Sequence, residues 1–198
     1  HYEECLKLCE RLIAIEGDYY LHARITAAGA ISNLASLELR VGNTAKAVER
    51  YDQAVDSLEE TLTEQPGEPT ASQFLSITLR GRAEMRDHAE QFAAAAADWK
   101  RAAEVDNANH YAYYKMYEAL SRVKANELEE ALLLVRENAS LTPDLKFMGA
   151  KVRTLAAAAT EDETQKELHL SAAVSALLEL EQDAFFMQQT FTEDLKSN

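Results

Sequence analysis

The chain has 198 residues, with 34 acidic and 20 basic side chains and a formal net charge of -14. Most of such a surface repels phosphate backbones and anionic membranes, so we expect neither nucleic-acid binding nor direct membrane contact. Hydrophobic residues make up 47% of the chain, and only 6 Gly and 3 Pro interrupt it, which favours long helices over strands joined by tight turns.

Helical periodicity runs through almost the whole chain, and capping and breaker residues divide it into nine predicted helices. The clearest boundaries are Gly17-Asp18, Gly42-Asn43, the turn 66–69 and Thr142-Pro143-Asp144. A run of three acidic residues, 161–163, is typical of a helix first turn. The predicted helices span about 2–16, 18–41, 44–64, 70–87, 91–105, 109–123, 126–140, 144–159 and 161–183, and an aromatic and then polar tail follows at 184–198.

One set of small and large residues recurs along these helices. Gly42, Ala47, Tyr51 and Ala54 are spaced 5, 4 and 3 residues apart, and the pair Leu34-Ala35 stands eight and seven residues before Gly42. The 4 and 3 steps return twice downstream, in Ala95, Trp99 and Ala102 and in Ala131, Val135 and Asn138. This spacing resembles the tetratricopeptide repeat, in which small residues let two helices approach and an aromatic residue meets the next pair.

The resemblance implies an all-α, right-handed helical-repeat solenoid (TPR-like) of antiparallel helix pairs, about nine helices in all. The implied units are a half repeat at 1–17, repeats at about 18–66, 67–107 and 108–143, and a C-terminal helix pair at 144–183. An unrelated helical bundle with Ala-rich faces is the alternative.

A second likeness concerns the longer first interval of the repeat. The run 10–17 resembles the run 60–67, and both lead into a long helix followed by an Ala-rich one. This arrangement, with the aromatic segment from 173 to 195, resembles the long-helix arrays attached to bacterial serine/threonine kinases.

The chain departs from the family pattern at several positions. Arg82 and Arg86 stand where the family's first helix is usually apolar, Glu90 takes the place of Gly42, and Asn138 replaces a small residue. We therefore expect irregular helix packing at these points.

The family's first helices line a concave binding groove, and Tyr and Met side chains there supply adaptable apolar contacts. For the Tyr residues, packing in the core is the alternative. The Lys, Asn and Arg clamp of chaperone-binding members is absent, so we expect no binding of chaperone C-terminal peptides. The positions that the resemblance assigns to a groove are Ser32, Ser36, Arg40, Arg80, Glu84, His88, Tyr113, Met116, Tyr117 and Leu120.

The sequence carries no recognisable catalytic or metal-binding motif. It contains no H-E-x-x-H, no Gly-rich phosphate loop, no G-x-S-x-G and no kinase signature, and no Glu stands three residues before a histidine. Cys5 and Cys9 lie four residues apart in a run with Leu8 and Leu12, which predicts core packing rather than a disulfide or metal site. We therefore expect no enzyme activity, no cofactor and no metal.

These observations predict a non-catalytic module that binds a protein or peptide. One alternative is the C-terminal regulatory region of a larger bacterial signalling protein such as a serine/threonine kinase, since the chain opens at His1 without Met. A helical-bundle enzyme or ligand-binding protein is a third hypothesis. With neither a leader nor an apolar span in the sequence, we expect a cytoplasmic location. The unpartnered first half repeat makes a homodimer through that end a further hypothesis.

Overall fold

A computed structural model describes residues 1–15, 19–106, 109–139 and 142–181, and within these ranges it holds nine α-helices and no strand. The all-α prediction is therefore confirmed. The predicted boundary at Gly17-Asp18 and the tail 184–198 lie outside the described residues. The helices are α1 (Tyr2–Ile13), α2 (Tyr20–Arg40), α3 (Thr44–Glu64), α4 (Pro69–His88), α5 (Phe92–Val105), α6 (Tyr111–Lys124), α7 (Leu128–Asn138), α8 (Pro143–Ala159) and α9 (Glu163–Glu181).

Side-chain caps fix three of the helix starts. Thr142 Oγ1 accepts a hydrogen bond of 3.3 Å from the Leu145 amide, with Pro143 in the first turn of α8, as predicted. Asp162 Oδ1 accepts from the backbone amides of residues 164 and 165 at the start of α9. For α4 the cap is Glu68, whose carboxylate accepts from the Ala71 amide, so this helix begins just before the predicted Thr70.

The chain forms two compact units, His1–Tyr111 and Ala112–Asn198, which we call unit 1 and unit 2. In unit 1 each helix packs against the next from α1 to α5, and α2 also packs against α4. In unit 2 an apolar core joins α6, α7 and α8, and α9 packs against α8. A contact between alternate helices such as α2 and α4 is consistent with stacked helix pairs.

The turns that follow α2, α4 and α6 have the same backbone conformation. Each contains one residue in the left-handed region, namely Gly42 (φ 84°), Glu90 (φ 59°) and Asn126 (φ 65°). The next residue donates its amide to the carbonyl five positions back, at 2.8, 2.8 and 2.9 Å respectively. This bond is typical of a Schellman helix end, which satisfies carbonyls at the C-terminus of the first helix. Glu90 thus adopts the conformation of Gly42, although its Cβ disfavours it.

These turns join the helix hairpins α2/α3, α4/α5 and α6/α7. Counting from the left-handed residue, the same positions are buried in all three hairpins. The residue nine positions after it is large and buried: Tyr51, Trp99 or Val135. The residue twelve positions after it is Ala54, Ala102 or Asn138, and the Asn138 amide donates to the Leu134 carbonyl at 2.9 Å. Alanines that are 0% exposed stand seven positions before it and five after it, as Ala35 and Ala47, Ala83 and Ala95, and Ala119 and Ala131.

Two glycines mark close approaches between helices. A Cβ on Gly81 of α4 would lie 2.7 Å from the Tyr51 hydroxyl, and a Cβ on Gly149 of α8 would lie 2.6 Å from Ala139 Cβ and 3.2 Å from Val135 Cγ1. Tyr51 and Val135 hold the same position in their hairpins, so in each unit this position packs against a glycine of the following helix.

Candidate functional site

The predicted groove positions of unit 1 form two rows at intervals of four residues. Ser32, Ser36 and Arg40 lie on α2, and a second row, Arg80, Glu84 and His88, lies on α4. All of these are exposed except Ser32, which is buried. Because α2 packs directly against α4, the structure places the two rows on neighbouring helices.

The Tyr51 hydroxyl of α3 lies beside both of these helices, next to Ser36 of α2 and Gly81 of α4. It shares a hydrogen bond of 2.8 Å with Ser36 Oγ, and the charges of Arg80 and Glu84 both act on it. Burial raises the pKa of the Tyr51 phenol, the bond with Ser36 lowers it, and the Glu84 carboxylate raises it. The buried phenol therefore anchors a small polar surface made by Ser36, Arg80 and Glu84, which we call the Tyr51 patch.

Within the Tyr51 patch the charged pair is weakly held. Arg80 Nε lies 3.9 Å from Glu84 Oε1, and the two side chains are 46% and 54% exposed. An exposed pair at this distance contributes well under about 1 kcal/mol to stability, so both groups can exchange this contact for one with a partner.

In unit 2 the predicted groove residues divide between surface and core. The rings of Tyr113 and Tyr117 lie 4.6 Å apart between centroids, with Tyr113 exposed and Tyr117 half-buried. Met116 and Leu120 are buried in the core with α7 and α8, because α6 turns that face towards both helices. Together with Ser32 of unit 1, these residues are buried and therefore closed to a partner, which leaves seven of the ten predicted groove positions accessible or partly accessible.

The arginines at usually apolar positions are explained by two aspartates, the buried Asp98 and the partly exposed Asp52. Arg82 donates to both oxygens of Asp98 at 3.0 and 2.6 Å and to Asp52 at 2.8 Å, and Arg86 donates to Asp98 at 2.6 Å. Burial opposes the charge on Arg82, but the hydrogen bonds and charges of Asp98 and Asp52 outweigh it and raise its pKa above the ordinary value. Two arginines and two aspartates thus balance each other between α3, α4 and α5.

Charged pairs also occur in the other two hairpins, and in α2/α3 they stand at matching positions. In the hairpin α2/α3, Arg50 Nη2 lies 3.8 Å from Glu38 Oε1. These two residues stand at the positions that Asp98 and Arg86 hold in α4/α5, with the signs of the charges reversed. In the third, Glu118 is buried and accepts hydrogen bonds from Arg122 and Lys115. Sequence reasoning missed these pairs, although Asp98 and Arg86 stand eight after and four before Glu90, as Arg50 and Glu38 do around Gly42.

The thiols offer no sign of chemistry. Cys5 is half-buried and Cys9 is buried against Ala23 and Ala27, as predicted, and both are free thiols. Burial raises the pKa of the Cys9 thiol, and the neighbouring Cys5 raises it further, so the less reactive protonated form is favoured. Leu8 and Leu12 were expected in the same apolar stripe but are exposed, because α1 packs against α2 through Cys5, Cys9 and Ile13 instead.

Across the described ranges, no group of three or more His, Cys, Asp or Glu side chains is placed to hold a metal ion. Among the same residues, no helix is both long enough and apolar enough to cross a membrane. Comparison of the chain with protein-family models, with curated proteins and with solved structures gave no significant match. The likeness to the tetratricopeptide repeat therefore remains a prediction from the sequence.

Proposed function

We propose that this chain is a non-catalytic binding module, a right-handed TPR-like helical repeat that holds a protein or peptide against the exposed rows of α2 and α4. One observation carries the proposal: Ser36 hydrogen-bonds the buried Tyr51 phenol, the charges of Arg80 and Glu84 on the adjacent helix act on it, and all three residues are exposed. A partner that offers hydrogen-bond donors and acceptors of both charge signs fits the Tyr51 patch.

The surroundings of the Tyr51 patch favour a rigid binding surface. The Arg82–Asp98 pair joins α4 to α5, and its side chains are only 12% and 4% exposed. A bidentate pair of this kind restrains helix α4 against α5. A partner would therefore dock with little change in the backbone of these helices.

A peptide selection tests this proposal. Peptides of about twelve residues would be selected from a random display library on the full chain, and their affinity then measured by calorimetry. We expect the double variant Arg80→Ala/Glu84→Ala to lose about tenfold in affinity, since each residue can form a charge-assisted hydrogen bond with a peptide. The matched control is Lys46→Ala/Glu49→Ala, which removes one exposed charge of each sign from α3.

Two results would contradict the proposal. One is a library without enriched peptides. The other is a set of enriched peptides whose affinity falls equally, or not at all, in the Tyr51 patch variant and the α3 control.

A further inference from the structure

A second surface, in unit 2, differs in charge from the rest of this acidic chain. A cleft of about 260 Å³ lies between α7, α8 and α9. Arg136 of α7, Lys146 and Arg153 of α8, and Glu179 of α9 line it. Three basic groups and one carboxylate give the cleft a positive charge, whereas the whole chain carries 34 acidic residues and 20 basic ones.

Two of these cations form no ion pair within the described part of the chain. Lys146 Nζ donates to Glu179 Oε2 at 2.7 Å, which balances the one carboxylate of the cleft. Arg136 and Arg153 have no ion-pair partner among the residues that the structure describes, whereas Arg122 in the same unit pairs with Glu118 and Glu127. Within the described residues, two guanidinium groups at one cleft therefore keep donors available for a ligand.

The floor of the cleft is made of small apolar residues. Gly149, Ala150 and Ala176 lie there, and Gly149 allows α8 to approach α7 closely. Such a floor offers no side-chain hydrogen bonds and favours contact with methylene groups. The volume equals that of about eight or nine water molecules, so a ligand would be small.

From these features we propose that the cleft binds a small dicarboxylate, whose two carboxylates pair with Arg136 and Arg153 and whose methylenes rest on the small-residue floor. Guanidinium groups match the planar geometry of a carboxylate through paired N–H donors. Inorganic phosphate offers similar oxyanion chemistry but has no apolar part to cover the floor. This proposal does not depend on the Tyr51 patch of unit 1.

An NMR titration of the full chain with succinate, at ionic strength held constant with sodium chloride, tests the assignment. We expect saturable shifts of the backbone amides at 139, 149, 150 and 176, with a dissociation constant of about 1 mM or below. Phosphate, titrated in the same way, should bind at least about fivefold more weakly because it leaves the apolar floor uncovered.

Three variants decide which groups are responsible. Arg136→Gln/Arg153→Gln should weaken succinate binding at least about tenfold, since it removes both free guanidinium groups. Ala176→Leu should also weaken binding by filling the cleft while leaving every charge in place. Lys151→Gln is the matched control, because Lys151 is an exposed cation of α8 outside this cleft, and succinate binding should be retained. Circular dichroism would establish that each variant is folded.

The assignment is overturned by an absence of saturable shifts up to about 20 mM succinate, a concentration well above the expected dissociation constant. It is equally overturned if Arg136→Gln/Arg153→Gln binds succinate as the unmodified chain does, or if phosphate binds as tightly as succinate.

Discussion

The hairpins α2/α3 and α4/α5 of unit 1 share one turn conformation and one set of buried alanines, but they differ in what fills the space beside those alanines. In α2/α3 the residue eight positions before the turn is the half-buried Leu34. In α4/α5 the same position is Arg82, which is tied to Asp98 and Asp52. The backbone register is thus the same while the chemistry beside it changes from apolar to ionic.

The shared hairpin geometry therefore constrains two kinds of position unequally. The buried alanines are set by close helix approach, which allows few residue types. The flanking positions need only be filled and electrically balanced, so Arg82 is tolerated where a buried aspartate faces it. The proposed binding surface lies on the exposed sides of α2 and α4, which both hairpins contribute.

Among the variants that compare the two hairpins, the largest effect on stability is expected from Asp98→Ala in α4/α5. Removing this carboxylate leaves Arg82 and Arg86 without their main partner in a buried site, which should lower the free energy of unfolding by about 3 kcal/mol. Urea unfolding followed by the fluorescence of Trp99, the single Trp of the chain, measures the change. A loss below about 1 kcal/mol would mean that the cluster is not balanced as a buried unit.

The next effect concerns the approach of α4 to α3. In Gly81→Ala the new methyl group meets the Tyr51 hydroxyl at 2.7 Å and must displace it, which should destabilise the protein by about 1–3 kcal/mol. The loss should be smaller in a Tyr51→Phe background, since the nearest atom is then missing. A double-mutant cycle of urea midpoints measures this coupling, and independent effects of the two changes would contradict the packing described.

Smaller effects on stability are expected at the turns after α2 and α4, and the two effects should have opposite signs. Gly42→Ala puts a Cβ at φ 84° with no neighbour within 4 Å, so conformational strain alone should destabilise the protein by about 1 kcal/mol. Glu90→Gly relieves the same strain and should stabilise it by about 0.5–1 kcal/mol. Thermal unfolding of both variants measures the pair, and changes of the same sign would show that the two turns differ in conformation.

The smallest effect is expected from Arg50→Ala in the first hairpin. Arg50 and Glu38 are 3.8 Å apart and partly exposed, so their pair should contribute only about 0.5 kcal/mol. Compared with Asp98→Ala in the same urea assay, this variant shows whether burial makes the ionic position important. Similar losses for the two variants would remove the distinction between the hairpins.

Much of the secondary structure could be predicted from the sequence, since Gly42, Pro66 and Pro143 interrupt helices that are otherwise strongly periodic. The spacing of Ala47, Tyr51 and Ala54 likewise predicted which residues of α3 are buried. Both signals are local, because they depend on residues that stand close together in the sequence.

Other features depend on contacts between distant residues and could not be read from local spacing. Met116 and Leu120 belong to the core because α6 is covered by α7 and α8, and the family groove pattern assigned them to the surface. Arg82 could be explained only once Asp98 was placed opposite it. The cleft lined by Arg136 and Arg153 needs three helices to meet, which no single segment reveals.

Measuring the backbone conformation of Glu90 in solution is the most direct test of the turn that the hairpins share. This turn sets the same register of buried residues in each hairpin. Three-bond couplings between amide and α protons, with carbon chemical shifts, report φ for residues 42, 90 and 126. The account predicts a positive φ at all three, near the 84°, 59° and 65° of the structure. A negative φ at Glu90 would contradict it, because the α4/α5 hairpin would then turn in a different way from α2/α3.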